Sequence, residues 1–138
     1  KDLRERGVGV HIGAHGQREG LAAHWELWMM EQGGFTPWEA LRGGTIDAAW
    51  HYGMDADLGS IERGKLADLA VIDGNPLQDL RRSEFVEHTM LNGRLYEVAT
   101  MNQIAPDLQE RLRFYFESID GTTTQPESVG NPVAHCQH

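Results

Sequence analysis

Cysteine is almost missing: Cys136 stands alone, so no disulfide can form within the chain and the fold must rest on packing. Positive charge is scarce as well. Lys and Arg number 12 against 21 Asp and Glu, and the formal charge of −9 repels a phosphate backbone, so nucleic acid is not an expected partner. No apolar run approaches the length that crosses a bilayer as a helix, and no membrane partner is expected. The opening "KDLRERGVGV" lacks the apolar stretch and small-residue cleavage site of a signal peptide, so compartment is not legible. It also lacks an initiator Met, and there is no internal repeat. The expectation is a piece cut or processed from a longer protein.

What is present describes one globular unit. Hydrophobic residues make up 40 % of 138 positions and charged residues 24 %, a balance that suits a single core rather than disorder or a fibre. Trp25, Trp28, Trp38 and Trp50 all fall early in the chain, which predicts the densest packing there, or an interface.

Lys1–Arg6 reads as the end of a helix stopped by Gly7. Val8–Gly13 alternates small and branched apolar residues, as a short strand buried on both faces does. Gly13 and Gly16 bracket a loop, and from Leu21 the residues Leu21, Trp25, Trp28 and Met29 recur at helical spacing up to Gly33-Gly34. Thr36-Pro37-Trp38-Glu39 is a complete helix start, with Thr36 at the N-cap, Pro37 at the first helical position and Glu39 closing a capping box. Thr45 can cap a further helix, Ile46–Tyr52, with Ile46, Ala49 and Trp50 on one face and Gly53 as its stop.

After Asp57 the texture changes to short strands. Leu69–Ile72 is bounded by Gly74-Asn75-Pro76, and Asn92-Gly93 between Val86–Leu91 and Arg94–Val98 is a strong hairpin signal. Asp68 and Asp73 flank the first of these strands as turn residues. Pro106–Phe116 reads as a closing helix with Leu108, Leu112 and Tyr115 on one stripe, and the residues from Gly121 on read as a mobile tail.

Three histidines mark the strand, loop and helix unit. His11 points away from Val10 and Ile12 and is expected to be packed or hydrogen-bonded. His24 is expected to be satisfied by a neighbour, and the pair His24, Glu26 lacks the second histidine of a helical zinc motif. His15 sits in the loop, where a contact to metal or substrate and a solvated side chain are equally open readings. Gln17, Arg18 and Glu19 beside it can select a substrate or simply face water. Trp25, Trp28, Met29 and Met30 read as core rather than a ligand-stacking box. His135, Cys136 and His138 offer three ligands in the tail, a weak site.

The phrases "FTPWEALRGGTIDAAWHYGM", "LGSIERGKLADLAVIDGNPLQDL" and "HTMLNGRLYE" resemble the C-terminal portion of the metal-dependent amidohydrolases, the imidazolonepropionase-like and prolidase-like group in particular. "GAHGQREGLAAHWELW" resembles the version found in amidohydrolases linked to a β-propeller. The match runs from about Gly7 to about Tyr96, and its most specific part surrounds Gly59, Gly64, Lys65, Ala67, Asp68 and Asn75-Pro76.

The resemblance implies an α/β fold: terminal strand-helix units of a (β/α)8 barrel over residues 1–56, the returning part of a composite β-sandwich over 57–100, a C-terminal helix over 101–120 and a tail over 121–138. It implies a hydrolase in which a divalent metal, zinc as first choice, activates water against a carbon-nitrogen bond of a small amide-type substrate. The usual histidine pairs would lie before Lys1, so this piece by itself need hold no metal. Where the family has an Asp ligand and base, "IGAHGQ" places His15 in the slot, and an imidazole cannot both ligate and shuttle a proton as a carboxylate does. His15 is thus the catalytic and metal candidate, with Gln17, Arg18 and Glu19 as substrate-binding candidates. A non-catalytic structural or assembly module keeping the shape is the alternative. In either case an uncovered strand and Trp-rich helices are expected to drive homo-oligomerisation.

Overall fold

The structure, a computed structural model, describes residues 1–15, 18 and 20–117. Four helices, α1 (Asp2–Glu5), α2 (Leu21–Gln32), α3 (Pro37–Gly43) and α4 (Ile46–His51), precede one sheet made of β1 (Leu69–Ile72), β2 (Val86–Leu91), β3 (Arg94–Glu97) and β4 (Gln103–Ala105). A 3₁₀ helix, Leu80–Glu84, links β1 to β2, and a 3₁₀ turn, Tyr115–Glu117, closes the described chain.

The helix starts follow local chemistry. At α3 the Glu39 amide donates to Thr36 Oγ1 at 3.2 Å and the Thr36 amide donates to Glu39 Oε2 at 2.9 Å, so the capping box is complete. Those bonds from Thr36, ahead of the charges of Arg4 and Lys1, hold the Glu39 carboxyl below its ordinary range. Thr45 does not cap α4; its hydroxyl donates back to the Leu41 carbonyl at 2.8 Å and ties α4 to α3.

A small core forms where α2 crosses the 3₁₀ helix. Leu27, Trp28, Phe35, Ala40 and Leu80 are buried together, with Val10, Ile12, Met30 and Leu41 packed around them. Trp28 is 8 % exposed, and its indole Nε1–H is shared between the Leu80 carbonyl and Ser83 Oγ, each at 3.1 Å. Ser83 Oγ, which accepts from the indole, also lies within hydrogen-bond distance of His24 Nδ1 at 3.1 Å, the imidazole tautomer setting which of the two donates. His24 is therefore satisfied by a neighbour, as expected.

The densest packing does fall in the early part of the chain, but Trp28 is the one tryptophan of the four that is buried in it. Trp25, Trp38 and Trp50 are 40 %, 59 % and 69 % exposed. Ala49 alone of the predicted α4 face is buried, and it is Gly59 that fits against it: a Cβ there would stand 2.7 Å from Ala49 Cβ and 2.9 Å from Ile46 Cα, with φ already at +91°. A tryptophan cannot follow alanine into a contact that tight.

The sheet is antiparallel throughout, in the order β1-β2-β3-β4, with Leu69 opposite Met90 and Met90 opposite Leu95. Asn92 (φ 48°) and Gly93 (φ 79°) make the β2–β3 turn, where both residues must be left-handed for the strand twist to match. The Asn92 amide donates to Asp68 Oδ1 at 2.6 Å, so Asp68, just before β1, braces the β2–β3 turn. In β2 half-buried Val86, His88 and Met90 alternate with exposed Glu87, Thr89 and Leu91, so one face is partly covered and the other open. Val71 and Leu91 are exposed, and the buried apolar residues all lie outside the strands.

Two expected elements are replaced. Val8–Gly13 joins no ladder among the described residues, because the strands lie at the other end of the described chain and pair with one another. Pro106–Phe116 is not a helix: Leu108 and Leu112 are 75 % and 88 % exposed, so no apolar face supports one. Instead β4 adds to β3, and Gln103 and Gln109 exchange amide-to-carbonyl bonds of 3.0 Å each. Arg111 then holds Glu117 through both carboxylate oxygens, at 2.8 and 2.5 Å. The expected tail lies outside the described residues.

Leu80 fills the centre of the core, so Leu80→Ala is expected to cost about 2–5 kcal/mol in urea unfolding, and Gly59→Ala to be comparably damaging through overpacking and strain. The side-chain bonds from Arg111, followed by the Phe114 amide, bring the Glu117 carboxyl down to about 2. A lowered carboxyl stabilises fully above its unfolded value of about 4.3 and loses that effect as pH falls toward its folded value. Amide protection of residues 109–114 is therefore expected to hold at pH 5 and to fall away between pH 4 and pH 2.

Candidate functional site

The loop that carries the sequence candidates is pinned at its base. The Ile12 amide donates to the Gly43 carbonyl at 3.2 Å, and the next amide, Gly13, donates to Glu26 Oε2 of α2 at 2.5 Å. Two residues later the backbone turns through His15 at φ 55°. This is the left-handed region that a non-glycine residue seldom adopts. His15 is exposed and has no hydrogen-bond or ion-pair partner among the described residues. Arg18 is exposed too, its guanidinium 5.9 Å from the Trp25 ring centroid, and its carbonyl accepts from the Ala22 amide at 3.0 Å as α2 begins. Gln17 and Glu19 lie outside the described residues, so the structure speaks for two of the four candidates and brings neither into contact with the other.

A second constellation was not foreseen. A cavity of about 490 Å³ opens between the Val8–His11 segment and α4, lined among others by Arg4, Val10, His11, Asp47, Trp50 and His51. The His11 and His51 rings face each other at 4.2 Å between centroids, so His11 is packed as expected, but against another imidazole. Asp47 receives Arg42 Nη2 at 2.5 Å and Arg4 Nη1 at 3.3 Å. Burial works against ionisation of Asp47, yet the bonds and charges of Arg42 and then Arg4 outweigh it and hold the carboxyl below its ordinary range. Arg4 stands 43 residues from Asp47 in sequence, so no local spacing announces the pairing.

The geometry can be set beside known proteins. The model of the Amidohydrolase family matches residues 2–96. This chain belongs to the amidohydrolase family. The ochratoxinase of Aspergillus niger is 30 % identical over 95 residues, which are 66 % of this chain and 20 % of that protein. The imidazolonepropionase of Sphingopyxis alaskensis is 47 % identical over 53 residues, 38 % of this chain and 13 % of that protein. Among solved structures, a Xaa-Pro dipeptidase with methionine bound in its active site superimposes with a TM-score of 0.65 at 34 % identity, over 70 % of this chain and 24 % of that one. The chain thus spans a fifth or less of these two curated relatives. The amidohydrolase neighbours have a TIM-barrel-type fold, of which the described residues show helices and an antiparallel sheet.

Amidohydrolases generally bind divalent metals. Among the described residues no group of three or more His, Cys, Asp or Glu side chains is placed to hold one. His15 is a single outward imidazole, His24 is engaged by Ser83, and the carboxylates of Asp47 and Glu26 are taken by Arg side chains and a backbone amide. The donor set on these residues alone does not fit a metal centre.

Asp47 ties α1 to the α3–α4 pair. Asp47→Asn is expected to free the α1 amides to exchange at neutral pH. In the parent chain the same release is expected only on acidification below about pH 4, since a lowered carboxyl loses its effect as pH falls. Hydrogen exchange resolved on residues 2–9 reads both.

Proposed function

We propose that this chain is the C-terminal portion of a metal-dependent hydrolase that cuts carbon-nitrogen bonds of small amides, either dipeptide or non-peptide, and that it does not turn over alone. Residues 1–56 supply the last barrel strand and the helices behind it, with Val8–Gly13 as that strand. Residues 57–100 supply the returning part of a β-sandwich. The observation that carries this reading is a family match over residues 2–96 on a chain whose apolar faces stay open. Val8–Gly13 pairs with no strand among the described residues. A further apolar groove of about 490 Å³ lies between α4 and β1, lined by Ala48, Tyr52, Met54, Leu69 and Ile72. Each is a surface that the rest of such an enzyme would cover.

In this reading His15 stands at the barrel mouth in the slot of the family's Asp, beside the metal, with Gln17, Arg18 and Glu19 facing the substrate. An imidazole there binds a metal through one nitrogen but does not also take the proton from water, so the base comes from elsewhere in the full protein or from Glu19, or the site is a variant one. The cofactor is a divalent metal, zinc as first choice, held mainly by residues outside this chain. The substrate class follows the names of the relatives, which include a Xaa-Pro dipeptidase and an imidazolonepropionase.

The purified chain is expected to elute as an oligomer in size exclusion with light scattering, to bind apolar dye and to hydrolyse no dipeptide or lactam with zinc added. A dye-silent monomer, or turnover by the chain alone, contradicts the proposal. Genomic sequence running upstream in frame and encoding paired histidines is the expected source of the missing ligands, whereas a genuine start codon just before Lys1 favours a non-catalytic assembly module.

A further inference from the structure

We infer that Glu26 is a positioning residue for the turn that presents His15. Three side chains of one helical stretch act in different directions. His24 and Trp28, one turn apart, engage Ser83, and this fixes α2 against the 3₁₀ helix. Glu26, between them in sequence, reaches the Gly13 amide at 2.5 Å, a bond in which an ionised carboxylate accepts from a backbone N–H. Rotation or sliding of α2 is resisted by the buried indole, so the Glu26 carboxylate is held in place rather than free to follow the loop.

The location gives the bond its consequence. Val10 and Ile12 pack on the core, and the Ile12 amide is already tied to Gly43 at 3.2 Å. Gly13 is the next amide and the last anchored one before His15, whose backbone is in the left-handed region at φ 55°. A residue with a Cβ enters that region at a cost of order 1 kcal/mol unless its surroundings hold it. Glu26 supplies the hold: with Gly13 fixed on α2, the chain leaves the core at one angle and His15 emerges on one side. Without it, no hydrogen bond among the described residues holds Gly13, Ala14 or His15.

The functional meaning of this placement rests on the hydrolase reading, in which His15 faces metal or substrate. The placement itself is measurable on the chain alone. In Glu26→Ala the Gly13 amide proton is expected to exchange at least about tenfold faster and to lose the downfield NMR shift of a charge-assisted bond. Glu26→Asp, one methylene short, is expected to behave like Glu26→Ala. Glu26→Gln keeps an acceptor oxygen at the same reach and is expected to stay within about threefold of the parent chain. The Trp28 indole N–H resonance should be unchanged in all three variants, because it reports α2 docking and not the loop. Unchanged Gly13 exchange in Glu26→Ala overturns the inference. So does loss of the Gly13 and Trp28 signals together in all three variants, which would make Glu26 a helix-stabilising residue only. Neither readout involves metal or turnover, so failure here and failure of the hydrolase reading are separate results.

Discussion

Trp28 joins parts of the chain that are more than fifty residues apart, and most of the described structure is arranged around that join. Its ring is buried among Leu27, Phe35 and Leu80, while its single N–H is shared by Leu80 O and Ser83 Oγ. Burying an indole with its donor unpaired would forfeit much of the gain from its apolar area. The 3₁₀ helix supplies the acceptors because its own start is fixed: Asp79 Oδ1 accepts from the Arg81 amide at 3.0 Å. Arg81 then lays its guanidinium 4.2 Å from the Trp28 ring centroid, covering the outer face of the ring. The docked α2 in turn sets where Glu26 can reach, and through Gly13 where the turn at His15 begins.

Cations in this acidic chain are largely committed to holding structure. Arg4 and Arg42 converge on Asp47, Arg111 grips Glu117, and Lys65 Nζ donates to the Asp55 carbonyl at 2.5 Å and Ser60 Oγ at 2.6 Å. Arg18, Arg42, Arg81, Arg82 and Arg111 also lie over aromatic rings. The remaining surface is therefore a mixture of acidic side chains and uncovered apolar ones such as Trp50, Ile61 and Leu112. Such apolar surface gains free energy when a further layer excludes water from it. In the proposed function that layer is the rest of the hydrolase.

The candidate site was partly legible before any coordinates. "IGAHGQ" placed His15 at the end of an extended segment, and the structure puts it in an exposed turn there; its chemical role belongs to the proposal. Glu26 and Asp47 could not be singled out, since a lone carboxylate on a helix has the same local pattern whether it meets water, a distant amide or two arginines. The same limit explains the tryptophans. Helical spacing announces one apolar face, yet among the described residues it is Trp28 that is buried with acceptors for its N–H, while Trp25 and Trp50 are exposed.

Local chemistry alone determined the capping box at Thr36 and Glu39, the Asn92-Gly93 turn, the breaks at Gly7 and Gly53, and the family resemblance carried by the Gly59–Pro76 stretch, because each depends on residues a few positions apart. Tertiary structure decided the remainder. Val8–Gly13 has strand composition but no ladder, since a strand exists only where another strand offers its amides and carbonyls. Residues 106–116 carry helical spacing but no helix, since their leucines face water and a short helix without a buried stripe does not repay its nucleation. Burial and pairing over long sequence separations are properties of the folded arrangement, and no window along the chain contains both partners.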